Sequence, residues 1–188
     1  MLRKEVLKMV TEIKILDFIQ TIRTPVGDMA MKFIPTLGNG GIIWIATAII
    51  LLCIPKKRKS GLILIAAICI DVVLCNGILK NLIARIRPCD INTAVQLLVA
   101  RPLDYSFPSG HTAASFAAVS ALFFCKERKI MVPALVLACL MAFSRLYLYV
   151  HYPTDILGGI LVGTISGWLA YIVVEKKLSH QKNIKIIS

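Results

Sequence analysis

The chain of 188 residues is 57% hydrophobic and 17% charged, with a mean hydropathy of +0.78, a balance that excludes a soluble globular domain. Its 22 lysines and arginines against 10 acids give a formal net charge of +12. These bases bunch between and after apolar runs, which assigns them to membrane topology rather than to a nucleic-acid surface.

In chain order, "KEVLKMVTEIKILDFIQTIR" (4 to 23) sets Val6, Met9, Val10, Ile13, Leu16 and Ile19 at helical spacing with charges between them. That is the pattern of a helix lying on a membrane. Acids and the lack of a small-residue cleavage site argue against a signal peptide. Pro25, Gly27, Pro35 and the glycines between 38 and 41 punctuate the path onward.

Five apolar runs follow, at 41 to 55, 62 to 84, 108 to 125, 130 to 150 and 154 to 174. A bilayer core about 30 Å thick needs roughly 20 apolar residues per helix, so the runs predict transmembrane helices. The expected fold is an all-α integral membrane bundle of about five spans plus the amphipathic N-terminal helix. A single domain over 1–188 divides into an interfacial segment (1–39), a transmembrane core (40–175) and a basic tail (176–188).

Half of the lysines and arginines fall in "PKKRKSG" (55 to 61), "KERK" (126 to 129) and "EKKLSHQKNIKIIS" (175 to 188). These segments alternate onto one side, which the positive-inside rule makes cytoplasmic. With an odd number of spans the N-terminus falls on the other side. Gly159, Gly163 and Gly167, and the alanines at 113, 114, 117, 118 and 121, predict close helix packing in lipid. Five of the six cysteines lie in apolar runs as small packing residues, and Cys89 falls in a polar loop without a C-x-x-C partner, so neither a disulfide nor a metal site is assigned. Tyr105, Tyr147, Tyr149 and Tyr152 are expected in an interfacial aromatic belt. Asp71, alone in mid-span, is open to a functional or a packing role.

The face opposite the basic loops collects Lys80, Arg87, His111, Arg145, His151 and Asp155. Charges near hydrocarbon are costly, and too few acids are at hand to neutralise three cations, so the site wants an anion. Arginine and lysine donors beside a helix start suit a phosphate, with Ser109 as cap and Gly110 leaving room at the free amides. Two histidines beside a phosphate suggest phosphoryl transfer. His151 lies four residues before Asp155, a spacing that lets the carboxylate hold one ring nitrogen and leave the other as nucleophile. His111 lacks a nearby acid and suits the acid and base role.

These residues stand in "KNLIARIRP" (80 to 88), "PSGH" (108 to 111) and "SRLYLYVHYPTD" (144 to 155), and together they resemble the tripartite signature of the type 2 phosphatidic acid phosphatase superfamily. The resemblance implies a membrane lipid phosphatase in which His151 forms a phosphohistidine, Asp155 orients it and His111 protonates the leaving group. Lys80, Arg87, Ser109, Gly110 and Arg145 would bind phosphate. It implies no divalent metal or other cofactor, no nucleic-acid partner, a bilayer setting in the cell membrane and a site on the extracytoplasmic face. Undecaprenyl pyrophosphate, phosphatidylglycerophosphate, phosphatidic acid and lipid A phosphates are candidate substrates, with a polyprenyl diphosphate favoured. Phosphate transfer to another acceptor and non-catalytic phosphate binding are the alternatives. Members usually have six spans, so five leave the place of the N-terminus open, and the sequence sets no oligomeric state.

Overall fold

A computed structural model describes the backbone of residues 2–187 and the side chains of residue 7 and residues 9–179. Val6 of the amphipathic stripe and Lys182 and Lys185 of the basic tail have side chains outside the described residues.

Helices joined by turns and one long loop at 92–109 make up the described residues, with no strand among them: α1 (Leu2–Thr21), α2 (Pro25–Gly38), α3 (Ile42–Cys53), α4 (Arg58–Asp71), α5 (Lys80–Ile83), α6 (Pro88–Ile91), α7 (Gly110–Phe124), α8 (Arg128–Tyr147) and α9 (Pro153–Ile187). Thr24 caps α2 by accepting from the Gly27 amide at 3.1 Å, with Pro25 at the first helical position. A single 3₁₀ turn, Asn39–Gly41, joins α2 to α3; Gly40 and Gly41 take φ of 59° and 72° there, a region glycine enters at little cost. The apolar path therefore starts earlier than the run at 41 to 55 suggests. At 12 residues, α3 rises only about 18 Å, whereas Pro25–Cys53 forms one apolar stretch of 29 residues.

Three further stretches are long and apolar enough to cross a membrane, Pro55–Ile91, Arg128–Tyr147 and Pro153–Ser179, and α7 is a shorter apolar helix. In Pro55–Ile91, α4 runs through a π-helical segment, Val72–Leu79, into α5, and Ala84 ends it in the left-handed region at φ 47°. π-Helical turns disrupt the regular α ladder and concentrate at functional sites; here the turn carries Asn76 and leads into Lys80.

α7 is the central helix, packed most extensively on α9 and also on α8 and α4. Its Ala113, Ala117, Ala118 and Ala121 are fully buried. The glycine ladder of α9 meets α7 backbone to backbone, as the small-residue spacing predicts. Trp44 of α3 donates through Nε1 to Ser115 Oγ of α7 at 3.2 Å, giving a buried polar atom its partner. The outward faces carry exposed Ile49, Ile50, Val73, Leu157, Leu161 and Trp168, the apolar exterior that lipid rather than water would solvate.

The basic loops gather where α7 ends and α8 begins. Lys57 Nζ lies 2.6 Å from Glu127 Oε2, Ser60 donates to the other oxygen at 3.0 Å, and Lys59 pairs with Glu175. The signature residues gather at the opposite end, where α7 and α9 begin and α8 finishes.

α1 docks at this second end through Glu12, Leu16 and Ile19, positions that share one helix face. Leu16 and Ile19 pack with Cys89, Tyr147, Tyr149 and Tyr152. Those three tyrosines are thus a buried seat for α1 and not an interfacial belt, and Cys89 is buried among them; Tyr105 alone of the four is exposed. The hydroxyls of Tyr147 and Tyr149 donate to Asp28 and Asp17, each at 2.7 Å, which satisfies groups that burial would otherwise leave costly. Leu7, Val10, Ile15, Phe18 and Ile22 form a second, exposed stripe on α1, so the apolar positions serve two faces.

Candidate active site

A cavity of about 270 Å³ opens where α7 begins, lined by Lys80, Arg87, Gly110, His111, Arg145 and His151, with Asp71 and Asn76 on the wall formed by α4 and its π-helical continuation. The structure thus brings six of the sequence-predicted residues onto one space from three stretches of the chain, 80–87, 110–111 and 145–151. Asp155 stands behind His151, fully buried.

His151 lies in the short loop between α8 and α9 and is 2% exposed. Its Nε2 is 3.2 Å from Arg87 Nη1, which also donates to the Val150 carbonyl at 2.7 Å. Arginine only donates, so Nε2 presents its lone pair and the ring hydrogen sits on Nδ1. That Nδ1 lies 3.5 Å from Asp155 Oδ2, within ion-pair reach but longer than a hydrogen bond, and has no other partner among the described residues. Such contacts are often long without substrate and tighten in the reacting complex. Burial first, then the charges of Arg87 and Arg145, outweigh the Asp155 carboxylate and lower the His151 pKa to about 4. The ring is neutral at pH 7.

Asp155 is fixed on every side. Arg85 Nη1 donates to Oδ1 at 2.6 Å, and Ser106 Oγ and the Tyr152 amide donate to Oδ2 at 2.5 and 2.8 Å. Oδ2, the oxygen that faces His151 Nδ1, thus already accepts twice, and the ring nitrogen is a third, longer contact at 3.5 Å.

The helix start behaves differently from the expectation for Ser109. Its hydroxyl accepts from Thr112 at 3.0 Å, its amide donates to the Asp155 carbonyl at 3.1 Å, and its side chain makes no cap. Ser109 is fully buried and turned into the protein. The first ladder bond of α7 runs from the Ala113 amide to Ser109 O, so the amides of Gly110, His111 and Thr112 precede the ladder and carry the helix's positive end. A Cβ on Gly110 would meet Asn76 Oδ1 at 3.2 Å and Lys80 Nζ at 3.8 Å; the glycine lets those side chains approach the helix start.

His111 is half-buried, with Nε2 3.0 Å from Asn39 Oδ1 on the 3₁₀ corner. Arg145, at the end of α8, is buried, and its Nε has no hydrogen-bond partner among the described residues. A buried guanidinium nitrogen in this state is a donor suited to an incoming anion.

One acid reaches the cations after all. Asp104 pairs with Lys80 and accepts from Arg87 Nη2 at 2.6 Å, while Arg87 Nε donates to its carbonyl at 2.8 Å. Burial alone would raise its pKa, but the hydrogen bond from Lys80 and the charges of Lys80 and Arg87 outweigh it and hold the carboxyl at about 2. Asp104 is half-exposed on a loop and occupies Lys80 and Arg87, two of the cations that line the cavity.

With this geometry in view, a family model described as PAP2 superfamily matches residues 60–179, which include every signature residue. The chain belongs to the PAP2 superfamily. This PAP2 chain is 30% identical over 133 residues to an undecaprenyl-diphosphatase of Sulfolobus acidocaldarius, the match covering 71% of the chain and 63% of that protein. It is 29% identical over 176 residues to a lipid A 4'-phosphatase of Bacteroides thetaiotaomicron, covering 87% and 76%. Among solved structures it resembles Aquifex aeolicus LpxE, with a TM-score of 0.72 at 30% identity, covering 84% of this chain and 92% of that one. The chain thus spans somewhat less than two thirds of the first of these relatives.

Several residues of the PAP2 site escaped the sequence reading. Asp104 lies outside the three motifs, and Asn39 and Asn76 carry no motif. Arg85 sits two residues before Arg87 in "ARIRP" and points to the other side of Asp155. Glu12 lies 142 positions from Thr154, its hydrogen-bond partner; its one trace in the sequence is an acid on the face shared by Leu16 and Ile19.

Proposed function

We propose that the chain is a lipid phosphatase that hydrolyses a phosphate or diphosphate monoester through a phosphohistidine on His151. The observation that carries this reading is the pairing of His151 and Asp155 beside a cavity lined by Lys80, Arg87 and Arg145. The cations and the amides at the start of α7 hold the phosphate oxygens and stabilise the charge that grows on them. The lone pair of His151 Nε2 attacks the terminal phosphorus as its bond to the leaving oxygen breaks, the lipid alcohol oxygen of a monophosphate or the bridging oxygen of a diphosphate. Asp155 holds Nδ1–H and balances the imidazolium-like charge. His111, on the adjoining helix start, protonates the departing oxygen. In the second half His111 takes a proton from water, which attacks phosphorus and releases His151.

The favoured substrate is a polyprenyl diphosphate such as undecaprenyl pyrophosphate, supported by one relative of that name and by three cations able to share more than one phosphate. Phosphatidylglycerophosphate, phosphatidic acid and lipid A phosphates are the alternatives, the last supported by another relative. α7, at 15 residues, rises only about 22 Å, which supports a site set below the outer surface and reached sideways from the outer leaflet. We place that face on the extracytoplasmic side, opposite the basic loops.

The test is phosphate release from a panel of lipid mono- and diphosphates in detergent, with and without chelator. Release that survives chelator and is lost in His151→Ala is expected. Release abolished by chelator contradicts a metal-free histidine mechanism, and phosphate appearing on an acceptor instead of in solution contradicts hydrolysis.

A further inference from the structure

Behind Asp155 lies an ionic relay that the proposed chemistry does not use directly. Arg85 stands between two carboxylates. Its Nη1 donates to Asp155 Oδ1 at 2.6 Å and to Thr154 Oγ1 at 2.7 Å, and its Nη2 meets Glu12 Oε2 at 2.5 Å. The other Glu12 oxygen accepts from the Thr154 amide at 3.0 Å and its hydroxyl at 2.5 Å. The guanidinium lies 3.9 Å above the Tyr152 ring, which fixes its plane. Glu12 is 5% exposed and Asp155 0%, so these charges interact in a medium that screens them poorly.

Burying a glutamate on the face of α1 that seats Leu16 and Ile19 is expensive and is tolerated where the charge is paired. The pairing here does more than neutralise. A guanidinium facing Asp155 alone could turn its fork fully onto that carboxylate and draw its charge away from the histidine. Glu12 occupies one arm of the fork and anchors it to the first turn of α9. Arg85 then reaches Asp155 through Nη1 alone, on Oδ1, and leaves Oδ2 facing His151 Nδ1.

We propose that Glu12 of α1 is a positioning residue for the phosphoryl-transfer site, acting through Arg85 to hold Asp155 in register with His151. The N-terminal helix is then a working part of the site and not only a membrane rest. This rests on the function proposed above. His151 is faced by Asp155 from α9, Arg87 from the segment before α6, Arg145 from α8 and His111 from α7. Glu12 reaches these through Arg85 and Thr154.

The test uses the full chain in detergent. Glu12→Gln keeps the shape and the acceptor for Thr154 but removes the charge; kcat should fall between about tenfold and a hundredfold, the range for losing an orienting outer partner. KM should stay within about twofold, because ground-state phosphate binding is untouched. Glu12→Asp should recover part of the loss. Arg85→Gln should lower kcat similarly, and Glu12→Gln added to it should have little further effect, since one acts through the other. The chain has 3 histidines, so ring-nitrogen NMR can follow His151 without turnover. Removing a negative charge from the relay should move its titration to lower pH in Glu12→Gln. A purely structural Glu12 would lower the folded fraction and leave kcat per folded molecule and the His151 titration unchanged, which overturns the proposal. Multiplicative losses in the double variant also overturn it. Wild-type release that disappears in His151→Ala tests the phosphatase reading separately, and the NMR shift decides the relay even where no lipid is turned over.

Discussion

Gly163→Ala perturbs the tightest approach at any glycine among the described residues. An alanine Cβ at 163 would stand 2.2 Å from Ala113 O and 2.8 Å from Ala117 N. Both atoms are α7 backbone, so no side-chain rotation relieves the clash. Ordinary van der Waals contact begins near 3.4 Å, and α7 and α9 must part by about 1 Å. Overpacking of this kind costs about 1–3 kcal/mol or more. For a chain of this length that is a Tm lower by roughly 2–10 °C. The consequence reaches the chemistry, because α7 carries His111 and α9 carries Asp155 in their first turns. A displacement of about 1 Å between reacting groups can cost about a hundredfold in rate. The assay is thermal unfolding in a fixed detergent together with kcat per folded molecule. Gly77→Ala is the control, since the nearest atom there, Val72 O, is 3.9 Å away. A Gly163→Ala protein with unchanged Tm and full kcat would refute the backbone contact between these helices.

Asp104→Asn removes the carboxylate that competes for Lys80 and Arg87; inorganic phosphate should inhibit several-fold more tightly, and weaker inhibition would make Asp104 part of the binding site. Ser109→Ala, at a hydroxyl turned to Thr112, should leave KM nearly unchanged, whereas Arg145→Ala should raise it more than tenfold, the order expected for losing a charged donor to phosphate. With a His151 pKa of about 4, the attacking ring stays neutral as pH falls from 7 and is lost only near 4. At pH 5.5 it is almost wholly neutral, while an ordinary imidazole would be about one-tenth neutral. After correction for the substrate's own ionisation near pH 6, an acid limb of kcat/KM at about 6.5 would contradict this.

The parts legible in the sequence are those with short-range causes. Apolar run length announces the spans, glycine and alanine spacing announces the α7–α9 contact, and three motifs deliver Lys80, Arg87, His111, Arg145, His151 and Asp155 to one end of the bundle. What escaped depends on distant pairing. Glu12 reads as a solvated charge on an amphipathic helix until α9 supplies Thr154 and the chain before α6 supplies Arg85. Tyr147, Tyr149 and Tyr152 read as a belt because aromatic residues near span ends usually are one; segments distant in sequence, α1 and the loop at 95–98, pack over them. Ser109 sits where a cap is expected, but Asp155 O and Thr112 take its donor and acceptor first. The start of the first span was set too late because Gly40 and Gly41 turn the chain without ending its apolar path.

The central claim is that phosphate passes through His151. Rapid acid-free quenching of the enzyme with phosphorus-labelled lipid diphosphate, followed by peptide mapping, tests it directly. The account predicts an acid-labile, alkali-stable phosphate on the peptide containing His151, absent from His151→Asn. Turnover with the label on another residue, or none on the protein at any time while phosphate is released, would contradict it.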